Sequence, residues 1–399
     1  MRRSNLILIS LLTIVNLLVW FKATSLNFYN DDFQILSYLQ EHFVSKPFTV
    51  FTSKDVSEHY FRPVPNFILT LILSIFDFNP LPFRLLSILL HLLLSLSLYI
   101  FLTKMFHNPK LAFISSLLFS LLPSHDIYHA WLASIGDLLA ATFILWSFFF
   151  LINFSSKETF LLSLLFFSLS LLSKESTLLA PCLAITLNYF FKDQRKRLVQ
   201  FAITTSAIIL LLFYYRHFVL EINVFHSPNI ENLSLLRSIG NFLLYPFVLV
   251  IPTFAYSKAD PLPILLNLIT LFTFGTLLII YSINKEGKAK NILIYGLAWY
   301  FWFAIPAVPL FMRWYSLLPS IGFFIALPEL IRIVKPRHIT TVAITLIVIL
   351  SFINFYSISG WVKANRAATK VLIAARNIHF EKPSGVLLWF FPQYYNNYA

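Results

Sequence analysis

Apolar runs long enough to cross a bilayer recur along almost the whole chain, and the short segments between them are rich in Lys and Arg. A spanning helix needs about 20 mostly apolar residues, fewer where flanking side chains reach the interface. Cut on that basis with the N-terminus inside, the sequence gives eleven candidate spans: Asn5–Ala23, Pro82–Thr103, Pro109–Pro123, Asp137–Phe154, Thr159–Leu172, Ser176–Phe191, Leu198–Tyr215, Leu262–Ile283, Asn291–Phe311, Tyr315–Ile331 and Ile339–Ser359. With 58% hydrophobic and 12% charged residues, the 399-residue chain reads as an all-α integral membrane protein.

The net charge of +13 would suggest nucleic acid in a soluble protein. Here its placement argues otherwise. Half of the 30 Lys and Arg fall in the short inner segments, namely Arg2 and Arg3, Lys104 and Lys110, Lys157, KDQRKR, KEGKAK and RIVKPRH. That is the positive-inside pattern, and it sets the orientation. The basic runs lack interleaved exposed aromatics, so no nucleic-acid partner is expected. Arg2 and Arg3 before the first span resemble a signal peptide, but no small-residue cleavage site follows, so the span reads as a retained anchor. Cys182 is alone, which excludes an intramolecular disulfide and a Cys-based metal site.

Two apolar stretches stay out of the count. Asn66–Phe78 is short and ends in DFNPLP, which suits a helix on the outer surface. Leu233–Phe254 is long enough to span, but crossing there would put KEGKAK outside. With Pro246 and Pro252 it reads as broken or interfacial, and a twelve-span arrangement stays open. The result is one membrane domain over residues 1–360, with outer segments at 24–81 and 216–261, and an outer tail at 361–399.

Asp31 and Asp32 stand side by side in NFYNDDF, just beyond the first span. Carboxylates at a membrane edge are costly unless they pair or work. The same outer edge collects Arg62, Arg84, His125, Asp126, His129, Asp137, Lys174, Glu175, Arg216, His217 and Arg313. Guanidinium groups can grip a phosphate, and a nearby Asp can take a proton from an attacking hydroxyl. Group transfer from a lipid phosphate is the chemistry this suggests. No nucleotide-binding Gly pattern appears, and only 8 Gly occur in the chain.

The order of NDDF, YFRPVPNF, FNPLPFRLLSILLHLLLSLSLYIFL, LLPSHDIYHAWLASIGDLLAA, LLSKESTLLAP and RWYSLLPSIGF resembles the membrane part of the C-type (GT-C) glycosyltransferases. It is most similar to the transmembrane and tetratricopeptide-repeat O-mannosyltransferases, and less so to protein O-mannosyltransferases and the aminoarabinose transferase of lipid A. The resemblance implies a GT-C-like polytopic bundle, a polyprenyl-phosphate sugar donor, an inverting transfer outside the cytoplasmic membrane, and an acidic base in the first outer loop. By the match at NDDF that role falls to Asp31 or Asp32. Arg62, His91, Lys174, Glu175 and Arg313 match the family's Tyr-Arg-Pro, Leu-Leu-His, Ser-Lys-Glu and Glu-Arg-Tyr elements, and His125 and Asp126 its His-rich segment; these are the candidate donor-binding residues. Met312 stands where the family has Glu, and the acid of the His-rich segment has moved to Asp126. The helical repeats of the eukaryotic relatives are absent, so the acceptor is left open between protein, lipid and glycan.

Plainer readings stand beside these. The Asp pair can simply open a helix. Lys174 and Glu175 can form a local ion pair, Arg62 and Arg313 can meet bulk lipid phosphate, and His91 can make an interhelical hydrogen bond. His125, Asp126 and His129 have a loose metal-like spacing without a fourth ligand, so no metal site is assigned and a divalent ion is the one cofactor left open. A glycolipid transporter and a non-catalytic envelope-assembly subunit are the rival functions. Transporter sites sit near the bilayer midplane, whereas these acids sit at one edge.

Overall fold

The computed structural model describes residues 3–29, 31–56, 60–189, 191–222, 288–307, 315–332 and 336–376. Among them there is no strand. The expected span at Leu262–Ile283, the stretch Leu233–Phe254 expected to be broken or interfacial, the end of Asn291–Phe311, Arg313 and most of the tail lie outside the described residues.

The helices, in chain order, are α1 (Arg3–Trp20), α2 (Asp31–His42), α3 (Pro63–Phe76), α4 (Pro80–Phe106), α5 (Pro109–Ser120), α6 (Ile127–Ala130), α7 (Ile135–Asn153), α8 (Lys157–Ser173), α9 (Ala180–Asn188), α10 (Arg195–Tyr214), α11 (Lys288–Ala304), α12 (Leu317–Ile331) and α13 (Pro336–Arg376). Among the described residues five helical stretches are long and apolar enough to cross a membrane, and the bent pair Pro109–Ser120 with Pro123–Ala130 makes a sixth if counted as one. The protein is a multi-pass membrane protein.

Local sequence explains where these helices begin. Asn79 and Asn108 accept from the amides of Leu81 and Leu111 and are each followed by Pro, a residue suited to the first helical turn. Ser156 caps α8 through the Thr159 amide. α4 ends at His107, whose φ of 53° is the left-handed stop that closes a helix.

In lipid, apolar burial gives helices little reason to associate, so small residues and buried hydroxyls have to hold them together. The Ser170 hydroxyl donates to the Ala140 carbonyl at 2.7 Å and Ser147 to the Ser163 carbonyl at 2.7 Å, binding α7 to α8. Trp146 Nε1 reaches the Ser97 hydroxyl at 2.9 Å and ties α7 to α4. α11 and α12 cross at Gly296 and Gly322, where a Cβ on either would overlap the other helix's backbone.

Three expectations are changed by the structure. The span Ser176–Phe191 is a 3-10 turn at Glu175–Thr177 followed by the 9-residue α9, because Pro181 restarts the helix. The segment with His125, Asp126 and His129, expected at the outer edge beyond the third span, is helical and buried. Pro123 opens a second helical limb that bends 58° from α5 and is fully buried. The last helix does not end at Ser359: α13 continues to Arg376, past the point where an outer tail was expected to start. The segment expected as the first outer loop, residues 24–81, carries α3 and also α2, which begins at the acidic pair.

Candidate active site

The two neighbouring carboxylates have opposite surroundings. Asp32 is completely buried. Its Oδ2 accepts from Arg84 Nη2 at 2.9 Å and from the Tyr29 amide at 3.1 Å, and its Oδ1 accepts from the Leu132 amide at 2.8 Å. Burial pushes the Asp32 carboxyl up, while the Arg84 charge and these donors oppose it. Arg84, equally buried, also donates to the carbonyls of Asn27 at 2.6 Å, His129 at 3.4 Å and Leu26 at 3.5 Å. Asp32 is thus a structural anchor with both oxygens engaged.

Asp31 begins α2 on the other side and lines a cleft of about 280 Å³. Burial raises its carboxyl above the ordinary aspartate value. Gln34, Asp55, Tyr60, Arg62, Asn66, Trp131, Lys174 and Tyr315 share that cleft. Arg62 stands where the chain enters α3, ahead of Pro63. Its Nε donates to Glu175 Oε2 at 3.0 Å, its Nη2 bonds the other Glu175 oxygen, and its guanidinium lies 4.1 Å over the Tyr60 ring. This two-pronged grip fits a planar guanidinium on a carboxylate. Burial works to raise Glu175, but the Arg62 charge, the Arg62 hydrogen bonds and the Lys174 charge together outweigh it and hold the carboxyl at about 2.

Lys174 closes α8 and donates to Asp137 Oδ2 at 2.6 Å. Its ammonium is 5.1 Å from the centre of the Tyr315 ring. Burial lowers the Lys174 pKa, with Asp137 opposing. Gly136 lets the end of α8 come close: a Cβ there would sit 3.0 Å from the Ser173 carbonyl oxygen. The cleft therefore joins two carboxylates on its wall, Asp31 and Asp55, to two cations, each tethered by an acid.

His91, His125 and Asp126 are elsewhere. His91 Nε2 lies 2.9 Å from His125 Nδ1, and both rings are fully buried in the bundle beside His129 and Trp20. Asp126 Oδ2 accepts from the Ser357 hydroxyl and, at 2.9 Å, from Trp361 Nε1 on α13. None of the three lines the cleft. They are buried in the bundle interior, in line with the interhelical reading of His91. Among the described residues no cluster of three or more His, Cys, Asp or Glu could hold a metal ion.

Sequence reading did not single out Asp55, Gln34 or Trp131. Tyr60 and Asn66 lay within YFRPVPNF, so that motif already pointed to the cleft wall, with the Asn66 amide donating to Asp55 Oδ1 at 3.2 Å. Asp55 itself belongs to no motif and had no local signal.

The similarity to a known family falls on the segment that carries Arg62, Lys174 and Glu175. Residues 60–216 match the dolichyl-phosphate-mannose-protein mannosyltransferases. The match supports a mannosyltransferase-type membrane glycosyltransferase; that family, in general terms, uses a polyprenyl-phosphate-sugar donor and a protein acceptor. It covers α3 to α10, leaving the Asp31–Asp32 pair just before it and α11 to α13 after it. No curated protein and no solved structure matches the chain.

Proposed function

We propose that the protein transfers a sugar, mannose or a close relative, from a polyprenyl-phosphate donor to an acceptor hydroxyl at the extracytoplasmic face, with inversion at the anomeric carbon. The observation that carries this reading is the composition of one cleft: Asp31, and not Asp32, lines it together with Arg62 and Lys174. Asp31 takes the proton from the acceptor hydroxyl as the oxygen bonds to the anomeric carbon. The bond between that carbon and the phosphate oxygen breaks, its electron pair stays on the phosphate, and polyprenyl phosphate leaves. Arg62 and Lys174 oppose the negative charge that gathers on the departing phosphate. Both cations already hold acids, so donor phosphate competes with Glu175 and Asp137 for them.

Support for the extracytoplasmic placement comes from the distribution of Lys and Arg, which the positive-inside pattern assigns to the inner segments. The family match favours an enzyme over a transporter. The test is release of polyprenyl phosphate from labelled polyprenyl-phosphate monosaccharides by the purified protein, with envelope extract supplying acceptors. Release that is lost in Asp31→Asn supports the reading. Equal release by that variant, or none by the wild type from any donor, rejects it.

A further inference from the structure

The long helix α13 lies beyond the family match, yet one of its faces bonds the segment that presents the acidic pair. Asn354, Ser357, Trp361, Asn365 and Thr369 follow each other at intervals of three or four residues, which places them in one stripe along the helix. Each reaches out of α13 to another part of the bundle. Asn354 Nδ2 donates to the Leu121 carbonyl at 2.8 Å. Ser357 and Trp361 both donate to Asp126. Asn365 Oδ1 accepts from the Asn27 amide at 3.0 Å and its Nδ2 donates to the Asn27 carbonyl at 3.3 Å. Thr369 accepts from Asn27 Nδ2 at 3.1 Å.

Asn27 is where the stripe meets the site. Its carbonyl accepts from the same Arg84 nitrogen that grips Asp32, four residues before Asp31. The chain from Leu26 to Asp32 is therefore held from two sides, by Arg84 of α4 and by Asn365 of α13. On the α13 side the Tyr29 ring also meets the edge of Trp361, with centroids 6.1 Å apart. Polar side chains on a lipid-embedded helix are expensive and need a use. Four of the five here are more than nine-tenths buried.

We propose that Asn365 is a positioning residue for the Asp31 base: through Asn27 it fixes the lead-in to α2, and so the reach of Asp31 into the cleft. Asp126 has the companion role of seating α13 through Trp361. The inference rests on the proposed glycosyl transfer for its catalytic half only.

The test compares two asparagines of the same helix in full-length protein. Asn354 also bonds a carbonyl, in a more buried setting, but lies 11 residues from Asn365, about 16 Å along the helix and away from Asp31. If α13 is only an anchor, Asn354→Ala and Asn365→Ala have similar effects. If Asn365 positions the base, Asn365→Ala lowers kcat on the order of 10- to 100-fold, with donor KM within about twofold. In that case Asn354→Ala stays near wild type, and Asn365→Asp, which keeps the acceptor for the Asn27 amide, recovers part of the rate. Equal losses in the two Ala variants, or a change confined to KM, overturn the inference. Hydrogen exchange over residues 26–32 gives a second readout that needs no donor. It rises in Asn365→Ala and not in Asn354→Ala if the tether holds, and unchanged exchange overturns the inference even if the transfer reaction proves to be a different one.

Discussion

Asp31→Asn and Asp32→Asn, two neighbouring substitutions of identical chemistry, have opposite expected outcomes. Asp32 and Arg84 lie 2.9 Å apart with side chains 0% and 1% exposed. At an effective dielectric near 20 their attraction is roughly 6 kcal/mol, most of which offsets the cost of taking both charges out of water. Asp32→Asn keeps the shape and leaves Arg84 charged and buried without a counter-ion, which costs about 3–5 kcal/mol. Thermal unfolding of the detergent-solubilised protein should fall markedly. Adding Arg84→Gln should cost less than the sum of the two single changes, since neither charge is then stranded. Asp31→Asn breaks no ion pair. It should unfold within about 1 kcal/mol of wild type and lose about 10²- to 10⁴-fold in transfer, the usual worth of a general base. A stable, inactive Asp32→Asn beside an active Asp31→Asn would refute the assignment outright.

Arg62→Lys keeps the charge and gives up the two-pronged geometry held by Glu175, so donor KM should rise about tenfold in a steady-state assay; an unchanged KM would remove Arg62 from donor binding. Asp31 works only when ionised, and burial raises its pKa above the aspartate value of 3.8, so the pH–rate profile should lose activity on the acid side sooner than for an exposed aspartate. Glu175 has its pKa depressed from 4.5 to about 2; the stability it adds is full above pH 4.5 and is lost as pH falls toward 2, and Glu175→Gln should flatten that part of a melting profile. Gly322→Ala puts a methyl group into the α11 backbone and should destabilise by about 1–3 kcal/mol in the same melts, whereas Ala there without penalty would mean that the helices do not approach as described.

Much of the architecture could be read from composition alone, for a physical reason. Lipid allows a spanning segment little besides a helix that satisfies its own backbone, so the length of an apolar run determines the element, and the Lys and Arg of the intervening loops determine its direction. Pro and Asn then mark starts, as at Asn79-Pro80 and Asn108-Pro109. Motif order sufficed to bring Arg62 and Lys174 forward as candidates, and both line the cleft, because each lies at a helix end that the sequence punctuates.

What each polar residue does at its position was decided only in three dimensions. Asp31 and Asp32 are indistinguishable in NDDF. They part because successive residues at a helix start point about 100° apart, one toward Arg84 and the Leu132 amide, the other into the cleft. His125 and Asp126 belong to a motif that suggested substrate, and a 58° bend just before Pro123 turned them inward toward His91 and α13. The tie between Asn27 and Asn365 spans more than 300 residues, and no local pattern encodes such a pairing. A sequence determines which segments must be helical and which residues carry charge; which charges meet depends on helices that are distant in the chain packing side by side.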